Sequence, residues 1–208
     1  MGKATDGLAD IGLLALRTTV GGLLMGHGAQ KLWGSFGGYG LEGTGGFMES
    51  LGLKPGRQWA LLAGSSEFGS GLLTALGLLF PIGPVSIWGP MLMAWAKVHK
   101  GKPIWVAEGG AELPLTNIAV ATALSLTGPG KYSLDEAFGI RVPAPVVALA
   151  VAGVAAGVVL GVLAEPGGGD GGGGDEEGGG PDGGGASELA DGASDPELVG
   201  QEDLELTG

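Results

Sequence analysis

Apolar positions along this chain gather into five runs, with short glycine-, proline- or charge-bearing stretches between them. The first run covers residues 11–33 and is broken by Arg17 and by a late cluster of His27, Gln30 and Lys31. The second covers residues 58–80 and holds one acid, Glu67, near its middle. The third, residues 82–98, is rich in Met and Trp and gives way to His99 and Lys100. Each comes close to the roughly 20 residues that cross a hydrocarbon core about 30 Å thick. A fourth run, residues 114–126, covers only about two thirds of that thickness at the helical rise. It is expected to be tilted less, to thin the bilayer, or to begin in a re-entrant stretch near residues 104–112. The fifth, residues 145–163, is almost pure Ala, Val, Leu and Gly and carries no charge. The pattern predicts an all-α integral membrane protein. The first run is too long for a signal-peptide core and has no small-residue cleavage site after it, so a retained helix is expected.

The connections sharpen this reading. Phe80-Pro81-Ile82-Gly83-Pro84 is a chargeless tight turn and makes the second and third runs antiparallel neighbours. The segment 34–56 reads as a glycine-rich loop whose Phe36, Tyr39 and Phe47 suit a membrane interface. Gly128-Pro129-Gly130 ends the fourth helix by removing a donor and supplying a permissive backbone.

Charge divides the chain in two. The formal net charge is −12, yet all ten Lys and Arg and nine of the 22 acids precede Glu165, so the body carries about one net positive charge. The last 44 residues hold thirteen acids among many glycines. Such a segment cannot bury enough apolar surface to offset its ordering entropy and is expected to be a disordered acidic tail. Three units follow: a membrane domain at 1–138, an extra transmembrane helix at 139–164, and the tail at 165–208. Lys31, Lys54, Arg57, Lys97, Lys100 and Lys102 fall on one side of a five-span topology, against Lys3, Lys131 and Arg141 on the other. The positive-inside rule makes the first group cytoplasmic.

The chain has no cysteine, which excludes disulfides, thiol redox centres and thiolate metal sites of its own. Ionisable groups inside membrane helices are costly and usually partnered, which singles out Arg17, His27, Lys31 and Glu67. His27 lies about 9 Å and Glu67 about 13 Å below the same surface at the helical rise, so the two are expected to face each other. Arg17 sits nearer the opposite surface and reaches Glu67 only by extending its stem. The functional reading is a polar pocket between the first two helices that relays a proton or binds a quinone-like head-group. A buried polar lock fixing helix register explains the same residues equally well. His99 reads as an interfacial imidazole, Glu112 as a helix N-terminal acid and Asn117 as a hydrogen-bonding group across helices. Gly153, Gly157 and Gly161 form a ridge suited to helix contact within the chain or between two copies, and Gly22 and Gly26 form a shorter one. Gly38-Tyr39-Gly40-Leu41-Glu42-Gly43 spells a dinucleotide fingerprint, but a helix precedes it where that site needs a strand. Nothing indicates nucleic-acid binding or a metal site.

With these residues in view, the chain resembles the DoxX family of small membrane proteins over roughly residues 10–138. The resemblance rests on Arg17, on Gly26-His27-Gly28-Ala29-Gln30-Lys31-Leu32, and on Phe47-Met48-Glu49-Ser50-Leu51-Gly52-Leu53-Lys54-Pro55-Gly56. It continues through Ala63-Gly64-Ser65-Ser66-Glu67-Phe68-Gly69, His99-Lys100-Gly101-Lys102, Glu108-Gly109-Gly110-Ala111-Glu112-Leu113-Pro114-Leu115, and Gly128-Pro129-Gly130-Lys131-Tyr132-Ser133-Leu134-Asp135. Ser70 stands where a glycine is usual. The resemblance implies a four-helix membrane core in a multi-pass protein of the cell membrane. It also implies a subunit role in a quinone-linked oxidoreductase or redox-stress complex, with quinone as candidate cofactor and redox proteins as partners. Its carried-over binding positions are Arg17, His27, Gln30, Lys31, Glu67, His99 and Glu112, with His27 and Glu67 as candidate catalytic groups. The fifth helix and the tail lie outside that core. A non-catalytic scaffold recruiting soluble partners is the alternative. A permease fits less well, because the chain shows no internal repeat.

Overall fold

The computed structural model describes residues 2–164, with side chains from residue 7 onward; the acidic stretch expected to be disordered, 165–208, lies outside the described residues. Among the described residues all regular structure is helical. Seven α-helices follow in order: α1 (Gly2–Trp33), α2 (Gly40–Ser50), α3 (Gly56–Leu76), α4 (Ile82–Lys97), α5 (Glu112–Thr127), α6 (Leu134–Phe138) and α7 (Ala144–Leu163). Two of them, α1 from Gly7 onward and α7, are long and apolar enough to cross a membrane. Leu149 and Leu163 of α7 are exposed, and Gly161 is the one buried residue of that helix.

Small residues set the closest packing, between α1 and α3. A Cβ built on Gly28 falls 2.5 Å from the Phe68 nitrogen, and one on Gly21 falls 2.5 Å from the Gly71 carbonyl oxygen. Gly64 and Gly71 meet α1 in return. The paired numbers run in opposite senses, so the two helices are antiparallel and their backbones nearly touch. The glycines that matter in α1 are therefore Gly21 and Gly28, seven residues apart, and not the expected ridge of Gly22 and Gly26. A Cβ on either of those two meets nothing within 4 Å. Spacing alone could not choose between these pairs, because adjacent residues differ by about 100° around the helix.

Segment 34–56, read above as a loop, contains α2. Its glycines disfavour a helix by about 1 kcal/mol each relative to Ala. Tertiary packing offsets this: a Cβ on Gly45 would press on the Arg57 backbone at 3.2 Å, so α2 lies close along the start of α3. Glu49 joins them by accepting the Gly56 N–H at 3.0 Å. Helices α4 and α7 run parallel, with Gly89 near Val154 and Gly161 against Met93. Lys97 donates to the Ala164 carbonyl at 2.6 Å, satisfying an acceptor that the end of α7 leaves open. The small cluster of Leu24, Ile87, Met91 and Ala121 joins α1, α4 and α5, and Asn117 donates across to the Met91 sulfur at 3.5 Å. Residues 104–109 are exposed and include one 3-10 turn, Val106–Glu108, while Gly110 and Ala111 are buried at the entry to α5.

Candidate functional site

Glu67 sits on the glycine-lined face of α3, between Gly64 and Gly71, where close packing leaves its residue only 6% exposed. A carboxylate so placed needs a cation, and the partner is Lys31: its Nζ lies 2.5 Å from Glu67 Oε2. Lys31 follows Gly28 by three residues, which brings it within about 60° of the face that meets α3. His27 precedes Gly28 by one and is swung about 100° away. The expected His27–Glu67 pairing is thus replaced by Lys31–Glu67. Matching depths was not sufficient; azimuth decided the partner. His27 is exposed, and its Nδ1 lies 3.2 Å from Gln30 Oε1. Ser70 donates its hydroxyl to the Glu67 carbonyl at 3.3 Å, so the substitution at this position adds a local tie beside the acid.

Lys31 also forms part of the wall of a cavity of about 520 Å³ bounded by Gln30, Tyr39, Thr44, Phe47, Met48 and nearby glycines. Glycine shapes this wall. The backbone at Gly38 lies directly on Gln30, where a Cβ would come within 2.5 Å, and Gln30 Nε2 reaches the Phe36 carbonyl at 3.5 Å. Phe36 itself holds φ at 53°, a left-handed conformation uncommon for an aromatic residue. The cavity lining thus combines cationic and amide donors with two aromatic rings. Trp33 packs edge-on against Phe68 at 5.2 Å nearby. A second, smaller cavity of about 260 Å³ lies between α3, α4 and α7, and Met48 borders both.

The remaining predicted residues are elsewhere. Arg17, only 1% exposed, donates to the Ala75 carbonyl at 2.6 Å and to the Tyr132 carbonyl. It therefore supplies a cation to the C-terminal end of α3, where helix carbonyls lack partners. Asp135, which was not singled out as a site residue, completes that corner. Its two carboxylate oxygens accept the Leu79 and Phe80 N–H groups at 2.9 and 2.7 Å, holding Leu79 at φ 53°. Its own N–H donates to the Gly77 carbonyl at 3.1 Å. An acid followed by no obvious helix gave no sequence signal for this role. His99 Nδ1 lies 2.6 Å from the Gly109 carbonyl, and Glu112 accepts the Val106 N–H at 2.9 Å. These two fold the α4–α5 connection, and Glu112 caps that turn rather than its own helix. No group of three or more metal-ligating side chains occurs among the described residues. The glycine-rich fingerprint at residues 38–43 straddles the start of α2 and follows a helix, without the strand a dinucleotide site requires.

Long apolar helices, exposed leucines along α7 and an ion pair sheltered between glycine-packed helices define a helical membrane protein. The comparison points the same way: residues 12–100 match the DoxX family model, which supports DoxX family membership over that stretch. Arg17, His27, Gln30, Lys31, Glu67 and His99 fall inside the matched region, whereas Glu112, Asp135 and all of α7 fall beyond it. No curated protein and no solved structure matches the chain.

Proposed function

We propose that this chain is a multi-pass membrane subunit of a quinone-linked oxidoreductase, and that it holds the quinone head-group against Lys31. In this reading α1, α3, α4 and α5 form a four-helix membrane core with α7 as a fifth spanning helix. The end bearing Lys31, Lys54, Arg57, Lys97, Lys100 and Lys102 then faces the cytoplasm. The observation that carries the proposal is the sheltered Lys31–Glu67 pair standing at the wall of a roomy cavity. A buried ion pair adds little net stability over well-packed apolar groups, but an ammonium fixed at a cavity wall is a directed donor.

The residues present fit such a head-group. A cavity of about 520 Å³ lies within the roughly 300–1,000 Å³ typical of small-molecule sites. The carbonyl oxygens of a quinone are acceptors, and Lys31 Nζ and the Gln30 amide are the donors that meet them. Tyr39 and Phe47 offer ring faces to a flat conjugated ring. When bound, a quinone supplies the two-electron, two-proton redox chemistry. Glu67 orients Lys31 through the ion pair, which fixes Nζ as a donor at the cavity wall. The chain has no thiol redox centre, and the electrons are assigned to a partner protein.

Quinone-dependent electron transfer in membranes carrying wild-type protein, Glu67→Gln or Lys31→Met tests this. The expected result is a tenfold or greater fall in both variants at equal membrane content. Equal rates in correctly inserted variants overturn it.

A further inference from the structure

Resting on that reading, we propose that the 260 Å³ cavity between α3, α4 and α7 is the other half of the same site and takes the first prenyl units of the quinone tail. Its wall comes from Trp59 and Ala63 of α3, Pro90 and Met93 of α4, and Gly157 and Val158 of α7, among others. No charged residue borders it; two serines, Ser66 and Ser86, supply the only hydroxyl groups. The space exists because small residues oppose one another. Ala63, Gly89, Gly153 and Gly157 all border it, and a Cβ on Gly153 or Gly157 meets nothing within 4 Å. The glycine ridge of α7 is thereby divided: Gly161 packs against Met93 and Trp59, while Gly153 and Gly157 stand back from the wall.

Size and a shared wall residue choose the occupant. An apolar cavity of about 150 Å³ holds one benzene, so 260 Å³ has room for roughly ten carbons of hydrocarbon. That is too small for a substituted ring with its tail and well matched to two prenyl units. Met48 borders this cavity and also the polar one. A single amphiphile therefore places its head at Lys31 and its chain past Met48, with the flexible thioether yielding between them. Helix α7, outside the family-matched stretch, supplies the outer wall.

The test uses full-length protein in detergent and two probes: a benzoquinone without a side chain, and the same ring bearing two prenyl units. Binding is read by quenching of tryptophan fluorescence. In wild type the prenylated probe should bind at least tenfold more tightly. Gly157→Leu, which fills the cavity from α7, and Ala63→Leu, which fills it from α3, should each bring the ratio of the two affinities toward one. Leu149→Phe, on the exposed side of α7, should keep the ratio. Because both probes partition into the same micelles, changes in the ratio between variants report the cavity. A ratio that survives both filling substitutions overturns the inference. So does native mass spectrometry that finds a bilayer phospholipid expelled by Gly157→Leu with the ratio intact. If the tail-less probe binds wild type but the tail adds nothing, this inference fails and the head-group reading stands. If neither probe binds wild type, both fail.

Discussion

Arg17 and Lys31 lie about four turns apart on α1, and both turn toward α3, yet their surroundings differ in kind. At the Arg17 end the guanidinium is committed to the Ala75 and Tyr132 carbonyls, and Asp135 is committed to the N–H groups of Leu79 and Phe80. Neither borders the cavity that Lys31 lines. At the Lys31 end the cation has one partner, Glu67, and an open cavity beside it. Burying a charge in a membrane helix is costly at both ends, so burial alone does not identify a working site. Asp135 also borders a cavity, of about 510 Å³, so the distinguishing feature is donor capacity left over at Lys31 rather than space.

Substitutions at the two ends should therefore separate stability from binding. The largest loss is expected for Arg17→Met, about 3–5 kcal/mol, because two charge-assisted hydrogen bonds vanish and leave buried carbonyls unpaired. Thermal unfolding in mild detergent measures it. Arg17→Lys should not restore stability, since a single ammonium cannot fork to two carbonyls as a guanidinium does. Asp135→Ala should cost about 2–3 kcal/mol in the same assay by releasing two N–H groups at the α3–α4 turn. The double variant Lys31→Met with Glu67→Leu should stay within about 1 kcal/mol of wild type, because an apolar pair replaces an ionic one. It should nevertheless lose at least tenfold in quinone affinity. His27→Ala should change stability by less than about 0.5 kcal/mol, as an exposed side chain with one neighbour. The comparison breaks if Arg17→Met folds normally but fails to bind quinone, or if the double variant unfolds and binds.

The sequence carried the helices well because membrane-length apolar runs leave little choice of structure. The second run, residues 58–80, became α3 at Gly56–Leu76, and the third became α4 at Ile82–Lys97. Helix α2 stayed hidden, since its stability comes from backbone contact with α3 through glycines that read locally as loop. Of the candidate site, Glu67 and Lys31 were both legible as costly charges, but their pairing was not. Depth follows from counting residues, whereas azimuth depends on which glycine meets the neighbouring helix, and that was settled by Gly28. Asp135 closed one of the motifs that carry the resemblance, but its role gave no warning, because its partners are backbone groups 55 and 56 residues away in sequence.

Helices α4 and α5 are each 16 residues long, about 24 Å at the helical rise. With both as spanning helices, the flank they share falls some 6 Å short of a typical 30 Å hydrocarbon layer. Lipid beside them must dimple inward to meet their ends, whereas α7, at about 30 Å, imposes no such distortion. The protein would then sit in a lopsided collar of lipid, compressed along one flank only, and shorter-chain lipids would gather there.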